Sequence, residues 1–254
     1  MIRNTFAILA AVACMGLSTQ VPGADSTSRK PEPKDTEVWT PVPAKVTPGK
    51  SPGAPPSDAV VLFDGRNLDA WKSARGEAPA GWKIVDGDMV VAPGTGDIQT
   101  RAKFGDVQLH IEWRTPKLPA DKVNQDRGNS GVFLQDVYEV QVLDSFTNKT
   151  YVNGQAGSIY KQFAPLVNAS LPEEQWQTYD IIFRAPKFAP DGALISPARI
   201  TVLHNGVLVQ DGAELKGATT YLGAPAYAAH GDMPLRLQDH SHEVRFRNIW
   251  LRNL

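Results

Sequence analysis

The sequence predicts an all-β fold, and three observations carry that prediction. From Val60 to Leu254, short runs of alternating apolar and polar residues are separated by Gly, Pro, Asn and Asp, which is typical of strands and turns. No segment keeps a 3.6-residue periodicity long enough for a major helix. About ten strands fit into roughly 195 residues, which is typical of a single-domain β-sandwich of two packed sheets.

The predicted strands are, in chain order, Trp82–Ile84, Asp88–Val91, Val107–Arg114, Gly131–Leu134, Tyr138–Leu143, Gln177–Arg184, Ala198–His204, Val207–Gln210, Leu235–Gln238 and Val244–Leu251. Each alternates, or carries a short apolar run, between turn-forming residues. The dipeptide Asn205-Gly206 gives the strongest hairpin signal, because both residues readily adopt the positive φ angles of a type I′ turn.

The first 57 residues are predicted to lie outside this fold. In residues 1–24, Arg3 precedes an apolar run from Thr5 to Leu17, which is typical of a secretory signal peptide. Residues 25–57 are rich in Pro, Ser, Lys and Thr, so they bury too little apolar surface to fold and are predicted to be a disordered tether. The folded domain is predicted over residues 58–254.

Cys14 is the only cysteine, so structural disulfides within the chain are excluded. Two interpretations of it stay open. The small residues before it are typical of a bacterial lipoprotein site, although Ala11 stands where Leu is usual. Alternatively, Cys14 belongs to an ordinary signal peptide that is cleaved after Ala24. Both predict export to the periplasm or cell surface, and the first adds a lipid anchor as the only contact with a membrane.

The charge and the motifs give no support to several classes of function. The net charge is −1, which gives no electrostatic basis for binding nucleic acid. The chain has no Gly-x-Ser-x-Gly elbow, no phosphate-binding loop and no dinucleotide fingerprint, so nothing indicates a serine hydrolase or a nucleotide-dependent enzyme.

The segment Tyr138–Ser145, Y-E-V-Q-V-L-D-S, predicts a two-faced strand. Its apolar face carries Tyr138, Val140 and Val142. Glu139 and Gln141 lie on the opposite face, and a β-bulge after Val142 would bring Asp144 onto that face too. Two carboxyl groups and an amide above an apolar layer indicate a polar cleft of the kind that binds carbohydrate. The alternative is a strand face that is polar only because it is solvated.

Two further segments are candidate walls of that cleft. The polar face of Val107–Arg114 includes Glu112 and Arg114, and it would lie beside Glu139 if the two strands share a sheet. The planar guanidinium of Arg114 suits a carboxylate or sugar hydroxyls, and an ordinary cross-strand salt bridge is the alternative. The polar loop Asp121–Gly131 contains Asn129 and is either a cleft wall or a solvated connection.

The segment Leu235–Glu243, L-R-L-Q-D-H-S-H-E, concentrates polar chemistry in a few residues. It brings Gln238, Asp239, His240 and His242 together. Histidine can transfer a proton near neutral pH, and a carboxylate can orient it. We therefore interpret His240 as a catalytic or binding residue rather than a simple turn histidine. The His-x-His spacing alone is weak support for a metal site without a third ligand.

Taken together, these motifs resemble the 3-keto-disaccharide hydrolase family. They are L-F-D-G-R-N-L-D-A-W, L-H-I-E-W-R, N-S-G-V-F-L, Y-E-V-Q-V-L-D-S, G-S-I-Y-K, W-Q-T-Y-D-I-I-F-R-A-P, L-R-L-Q-D-H and V-R-F-R-N-I-W-L-R. Each is weak alone, but their number and order are specific, and they extend from Val60 to Leu254. The resemblance implies a concanavalin A-like jelly-roll β-sandwich of two antiparallel sheets, related to lectins and laminarinase-type glucanases.

The resemblance also implies an activity and site residues. The pattern Glu139-x-Gln141-x-x-Asp144 is similar to the E-x-D-x-x-E strand of the glucanases, but its central Gln argues against ordinary double displacement. The implied substrate is a small or oligosaccharide 3-keto-glycoside, cleaved by C2 deprotonation, β-elimination and hydration. Glu139 or His240 would be the base, and Asp144 would orient His240 or a bound cation.

The remaining predicted site residues would bind substrate. They are Arg114, Gln141, Asn129, Gln238 and Glu112, with Arg114 and Gln141 at the keto or enolate oxygen. A divalent cation such as Ca²⁺ could replace Arg114 as the electrophile. Two alternatives remain at this stage: a non-catalytic carbohydrate-binding module on the same fold, and a glycoside hydrolase on unmodified β-glucans with Glu139 and Asp144 as its carboxylate pair.

Overall fold

The computed structural model of the protein describes residues 30–254. The predicted signal peptide and Cys14 lie outside those residues. The described residues divide into two compact units, one that ends at Ala44 and one over Lys45–Leu254. Within residues 30–44 of the first unit there is one 3-10 turn, Pro33–Asp35. Across the described residues, no helix combines the length and apolar character that a membrane span requires.

The second unit is built from β-strands, as the sequence predicts. They are β1 Val60–Phe63, β2 Trp71–Ser73, β3 Lys83–Val85, β4 Asp88–Val90, β5 Ile98–Thr100, β6 Val107–Arg114, β7 Ser130–Leu134, β8 Tyr138–Val142, β9 Gln177–Arg184, β10 Lys187–Phe188, β11 Leu194–Ser196, β12 Arg199–His204, β13 Val207–Glu214, β14 Arg236–Leu237 and β15 Arg245–Asn253. A short 3-10 turn, Val152–Gly154, lies between β8 and β9.

Two large antiparallel sheets form the predicted sandwich. The eight-stranded sheet has the order β13-β12-β9-β6-β15-β4-β3, with β1 also paired to β15. The five-stranded sheet has the order β2-β5-β14-β7-β8, and β10 and β11 form a separate hairpin. Strands distant in sequence, such as β6 and β15, are neighbours, so the sheets depend on long-range pairing.

The hydrophobic core lies between the sheets because alternate residues of facing strands point inward. On the eight-stranded sheet, Leu109, Ile111 and Phe183 are fully buried, and on the five-stranded sheet Val140 and Val142 are too. The rings of Tyr138 and Phe183 connect the two sheets, with their centroids 5.6 Å apart. The predicted apolar face of the Tyr138 strand is therefore confirmed, and Glu139 and Gln141 are directed away from the core.

All ten predicted strands are present; Val107–Arg114 and Gln177–Arg184 have the predicted ends, and the others differ by one to four residues at an end. The Asn205-Gly206 hairpin is also confirmed, since His204 pairs with Val207 and both turn residues have positive φ. The strands that the sequence did not predict are β1, β2, β5, β10 and β11. Four of these span only two or three residues, too few for alternation to be visible.

One arrangement that the sequence left open does not form. β6 does not share a sheet with β8, because β6 pairs with β9 and β15 in the eight-stranded sheet. The residues Leu109 and Ile111 of β6 fill the core, so Glu112 and Arg114 lie on the outer face of that sheet. The predicted contact of this polar face with Glu139 and Gln141 therefore does not form.

The second unit begins at Lys45, earlier than the predicted domain start at residue 58. The carbonyl of Gly53 accepts hydrogen bonds from Asn248 Nδ2 and Trp250 Nε1, both at 2.8 Å. Ser57 N donates to the carbonyl of Thr47 at 3.0 Å. Residues 45–57, which we call the N-terminal strap, are thus bonded to strand β15 of the sandwich.

Candidate active site

A polar cavity of about 320 Å³ opens on the five-stranded sheet. Its walls come from β7, β8 and the residues around β14, together with two loops. The lining residues are Asn129, Phe133, Glu139, Gln141, Tyr160, Thr219, Tyr221, Arg236, Gln238 and His240. Five of the eight predicted site residues meet here, namely Glu139, Gln141, Asn129, Gln238 and His240.

Glu139 is the most unusual residue of the cavity. It is 5% exposed, and within the described residues only its backbone is hydrogen-bonded, its N–H donating to Thr219 Oγ1 at 3.0 Å. Burial raises the pKa of the Glu139 carboxyl from 4.5 to about 8; Arg236 opposes this rise and Asp97 adds to it. The group is therefore mostly protonated at neutral pH and faces the cavity without a protein partner.

Arg236 does not neutralise Glu139 because other acidic groups hold its guanidinium. Its Nη1 donates to Asp97 and its Nε to Asp136, both at 2.5 Å, and its Nη2 donates to the Asp136 carbonyl at 2.7 Å. The guanidinium also stacks over the ring of Phe133, 3.7 Å from its centroid. Arg236 is thus a fixed part of the wall.

The amide side chains of Gln141 and Asn129 form the next part of the wall and are bonded to a third amide, that of Gln125. Gln141 Nε2 donates to Gln125 Oε1 at 3.1 Å and to Asn129 Oδ1 at 3.3 Å. Asn129 Nδ2 in turn donates to the carbonyl of Gln125 at 2.9 Å. The Gln141 Oε1 atom is buried and has no hydrogen-bond partner in the described residues. An unpaired buried carbonyl oxygen is costly, so it is a ready acceptor for a hydroxyl of a bound molecule.

Gln238 and His240 follow β14 and line the opposite wall. The backbone of Gln238 is fixed because its N–H donates to the carbonyl of Gly131 at 3.1 Å and its carbonyl accepts from Ser130 Oγ at 2.7 Å. In the described part of the chain the side chains of both Gln238 and His240 lack a hydrogen-bond partner. Both are therefore free to contact a ligand.

The turn that carries His240 is held by its neighbours. Asp239 Oδ2 accepts from the backbone N–H groups of Gly94 and Gly96 at 2.8 and 2.9 Å. His242 is buried, with Nε2 3.2 Å from Asp126, and its ring is parallel to that of His240 at 6.3 Å. Burial lowers the pKa of His242, so this histidine packs as a neutral group while His240 faces the cavity.

A second cavity of about 440 Å³ adjoins the first. The two cavities share four lining residues, Asn129, Tyr160, Tyr221 and His240. The second is completed by Asn124, Gln125, Tyr151 and Lys161. His240 thus stands at the junction of a cleft with two compartments.

Three predicted site residues lie away from both cavities. Asp144 follows the end of β8 rather than a bulge within it, and its Oδ2 accepts from Arg127 Nε at 2.6 Å while its Oδ1 accepts from Phe146 N at 3.3 Å. Asp144 lines neither of the cavities that His240 lines, and its carboxylate is held by Arg127 instead, so it is not placed to orient His240 as predicted.

Arg114 and Glu112 make ion pairs on the outer face of the eight-stranded sheet. Arg114 lies 3.3 Å from Asp88 and stacks over Trp176 at 5.0 Å. Glu112 accepts from Arg247 Nε at 2.6 Å. Neither lines the cleft, so the geometry gives them no contact with a ligand bound there.

Several lining residues were missed by the sequence analysis. Arg236 could have been found, because strand alternation places it on the same face as Gln238. Tyr160 lies in the motif G-S-I-Y-K at Gly157–Lys161, but nothing in that motif indicated that the tyrosine lines a polar cavity. Thr219 and Tyr221 belong to an irregular loop whose position depends on tertiary contacts, such as the bond from Thr219 N to the Val137 carbonyl at 2.8 Å.

Within the described residues, no three or more His, Cys, Asp or Glu side chains lie close enough together to hold a metal ion. His240 and His242 have parallel rings, but within residues 30–254 one carboxylate, Asp126, pairs with either of them, and it contacts His242 alone.

Solved structures with the same fold identify the class of protein. A candidate glycosyl hydrolase from Parabacteroides distasonis is 47% identical, with a TM-score of 0.83, over 88% of this chain and 97% of its own. A second from the same organism is 22% identical, with a TM-score of 0.56, over 78% and 94%, which shows the fold alone. No curated protein matches the chain.

The sandwich and its relatives define a concanavalin A-like, carbohydrate-active enzyme of the glycoside hydrolase type. A family model for the 3-keto-alpha-glucoside-1,2-lyase-like domain matches residues 58–252. The chain therefore belongs to that family, and the resemblance found in the sequence is confirmed.

Proposed function

We propose that the protein cleaves the glycosidic bond of 3-keto-glycosides, with Glu139 as the base that removes the proton on C2. The single observation that carries this proposal is the buried carboxyl of Glu139, which faces the cavity without a protein partner and has its pKa raised to about 8. The name of the family, a 1,2-lyase acting on 3-keto-alpha-glucosides, supports the same chemistry.

The raised pKa suits abstraction of a proton next to a ketone. A carboxylate with a pKa of about 8 is a stronger base than an ordinary one, and general-base catalysis is most effective when the pKa is near the working pH. The C2–H bond breaks, and its proton goes to Glu139. The electron pair forms the C1–C2 double bond through the enolate, and the C1–O bond breaks as the aglycon leaves. Addition of water then completes the net hydrolysis.

The free side chains of the cleft provide the other roles. The electron pair reaches the ketone oxygen in the transition state, where a hydrogen-bond donor stabilises it most. We assign this donor to the unpaired amide of Gln238 and the protonation of the leaving oxygen to His240, at the junction of the two cavities. Gln141 Oε1, which is buried without a partner, accepts a hydroxyl of the sugar.

The test is release of the aglycon from a 3-keto-glucoside and from the same glucoside without the keto group. We expect turnover of the 3-keto substrate only, and a loss of about 10²–10⁴-fold in kcat for Glu139→Gln. Glu112→Gln is the matched control, since Glu112 is also a strand glutamate of low exposure but lies on the outer face of the other sheet. Equal turnover of both substrates, or full activity in Glu139→Gln, would disprove the proposal.

The two earlier alternatives are outcomes of the same test. A carbohydrate-binding module would bind the sugar without turnover of either substrate. A retaining hydrolase on unmodified glucans requires a second carboxylate about 5 Å from the first, and Asp144, the carboxylate predicted for that role, lines neither cavity. The geometry therefore favours elimination over double displacement.

We also propose that the enzyme is exported, on the basis of the signal-like residues 1–24. Cell fractionation of the host would locate it, and metabolic labelling with a fatty acid would separate the two interpretations of Cys14. Incorporation that is lost in Cys14→Ala indicates a lipoprotein, and no incorporation indicates a cleaved soluble form.

A further inference from the structure

We infer that Asp97 and Asp136, two carboxylates outside the lining of the first cavity, are positioning residues that set the pH at which the site works. They hold the guanidinium of Arg236, which would otherwise form an ion pair with Glu139. We call these two aspartates the clamp. The consequence for activity rests on the proposed function, in which Glu139 is the base. The inference adds which residues keep that base from being neutralised by the arginine beside it.

Arg236 and Glu139 lie in one row across three neighbouring strands. Arg236 of β14 pairs with Phe133 of β7, and Phe133 pairs with Glu139 of β8. Directly paired residues of antiparallel strands point to the same side of a sheet, so all three side chains lie on the cavity face. Adjacent strands are about 4.8 Å apart, so an extended arginine side chain could reach the glutamate carboxyl two strands away. A restraint on Arg236 is therefore needed to keep the two groups apart.

The clamp comes from both sides of β14. Asp97 immediately precedes β5, which pairs with β14 on one side, and its Oδ2 accepts from Arg236 Nη1 at 2.5 Å. Asp136 is in the turn between β7 and β8, on the other side. Its carboxylate accepts from Arg236 Nε at 2.5 Å, and its carbonyl accepts from Nη2 at 2.7 Å. Every nitrogen of the guanidinium therefore donates to one of the two aspartates.

The ring of Phe133 completes the restraint. The guanidinium carbon of Arg236 lies 3.7 Å from the centroid of this ring, and a guanidinium stacks favourably on an aromatic face. Because Phe133 stands between Arg236 and Glu139 in the row, the stacked guanidinium remains on the far side of the ring from the carboxyl group. Asp97 is itself fixed, since its Oδ1 accepts from the backbone N–H of Asp239 at 2.9 Å.

The charges around Glu139 explain why this restraint affects its ionisation. Burial raises the pKa of Glu139 to about 8, while Arg236 opposes the rise and Asp97 adds to it. The other titratable residues that line the cavity are Tyr160, Tyr221 and His240. Among the described residues of that lining, Arg236 alone carries a permanent positive charge. An ion pair with it would favour the carboxylate and lower the pKa of Glu139.

The test is an NMR titration of Glu139 in protein labelled with carbon-13 at the glutamate carboxyl, with Glu139→Gln to assign its signal. Asp136→Gly removes one carboxylate of the clamp, and glycine suits the φ of +63° at this position. The pKa of Glu139 should fall, by about 1–3 pH units if the released cation comes within about 4–6 Å. Asp97→Asn should act in the same direction, because it also removes a negative charge that raises this pKa.

Two controls separate release of the arginine from the loss of a carboxylate. In the Arg236→Gln background there is no cation to release, so Asp136→Gly should leave the pKa of Glu139 nearly unchanged. Asp88→Asn is the matched control on the other sheet, where two arginines donate to this carboxylate, each at 3.3 Å, and it should keep the wild-type titration. In the clamp variants, kcat/KM on a 3-keto-glucoside should begin to rise at a lower pH than in the wild type.

The outcomes separate this inference from the proposed function. If the folded clamp variants keep the wild-type pKa of Glu139, the inference is overturned, whatever their activity. It is also overturned if Asp136→Gly lowers that pKa equally with and without Arg236. If the wild type releases no aglycon from a 3-keto-glucoside but the titrations behave as described, the proposed function fails and the control of Glu139 by the clamp stands.

Discussion

The carboxylate of Glu139 occupies the space that a side chain at position 131 would need. A Cβ atom built on Gly131 would lie 2.7 Å from Glu139 Oε1 and 2.7 Å from Phe133 Cε2. Gly131 is on β7, paired with Gln141 of β8, and Phe133 is paired with Glu139. The missing side chain at 131 therefore makes room for the carboxyl group between two strands of the sheet.

We predict that Gly131→Ala lowers activity more than stability. The added methyl group must displace the carboxylate or the Phe133 ring, and overpacking of this kind costs about 1–3 kcal/mol. A displacement of about 1 Å at a catalytic group reduces rates by about 10²-fold. Aglycon release and thermal unfolding of the same variant would show whether the loss of kcat exceeds what unfolding explains. Wild-type kcat in a stable Gly131→Ala protein would contradict this prediction.

The raised pKa of Glu139 predicts how stability depends on pH. In the unfolded chain the carboxyl titrates near 4.5, whereas in the folded protein burial raises its pKa to about 8. Between these values the folded state holds a proton that the unfolded state has lost, so the free energy of unfolding decreases as pH rises. The decrease from this one group is on the order of 5 kcal/mol across that interval, since each pKa unit corresponds to about 1.4 kcal/mol.

Denaturant unfolding at about pH 5 and about pH 9 checks this dependence. Glu139→Gln cannot ionise, so its stability should fall less than that of the wild type between the two pH values. Glu243→Gln, at an exposed position, should keep the wild-type slope. The activity should show the complementary effect, with kcat/KM rising with pH towards about 8 as Glu139 becomes a carboxylate. Parallel stability profiles of wild type and Glu139→Gln would show that Glu139 is not the titrating group.

The sequence was sufficient to predict the structural features that depend on the local pattern of apolar, polar and turn-forming residues. Alternation along β8 predicted that Tyr138 and Val140 face the core and that Glu139 and Gln141 face the opposite side. That opposite side of the strand lines the first cavity. The Asn205-Gly206 turn was equally local. The resemblance to the family then supplied the two-sheet architecture, which the strands alone leave open.

The features that depend on strand pairing could not be predicted from the sequence. Arg114 and Glu139 have similar alternating surroundings, and only the pairing of β6 with β9 and β15 places Arg114 on the other sheet. Arg127 comes from the loop before β7, and it binds Asp144 across a distance of 17 residues in sequence. Such contacts are decided by tertiary packing, which no periodicity records.

Asp144 is predicted to stabilise the fold rather than act in catalysis. Arg127 Nε donates to Asp144 at 2.6 Å, and Arg127 Nη2 donates to Glu173 at 2.7 Å. Arg127→Met would leave the buried Asp144 carboxylate without its cation, which costs about 3–5 kcal/mol. Asp144→Asn should cost less, about 1–2 kcal/mol, because the amide still accepts a hydrogen bond from Arg127.

Chemical denaturation and aglycon release distinguish the two roles of Asp144. We expect Asp144→Asn to be less stable than the wild type but to keep kcat within about threefold, since its carboxylate does not reach the cleft. The double variant Arg127→Met with Asp144→Asn should be more stable than Arg127→Met alone, because no unpaired charge remains. A large loss of kcat in a folded Asp144→Asn protein would instead return Asp144 to the catalytic set.

The N-terminal strap, residues 45–57, is predicted to contribute to the stability of the sandwich. The Gly53 carbonyl accepts from Asn248 Nδ2 and Trp250 Nε1, and the Trp250 ring stacks on that of His110 at 5.3 Å.

A chain truncated to begin at Lys45 should unfold at the same denaturant concentration as the full-length protein. A chain that begins at Asp58 lacks the Gly53 carbonyl, so the side-chain N–H groups of Asn248 and Trp250 lose their acceptor. This loss should reduce the free energy of unfolding by about 1–3 kcal/mol. Trp250→Phe in the full-length chain removes one of the two hydrogen bonds, so its stability should lie between those of the chains that begin at Lys45 and at Asp58. Equal stability of the chains that begin at Lys45 and Asp58 would mean that the folded domain starts at residue 58, as the composition of the strap suggested.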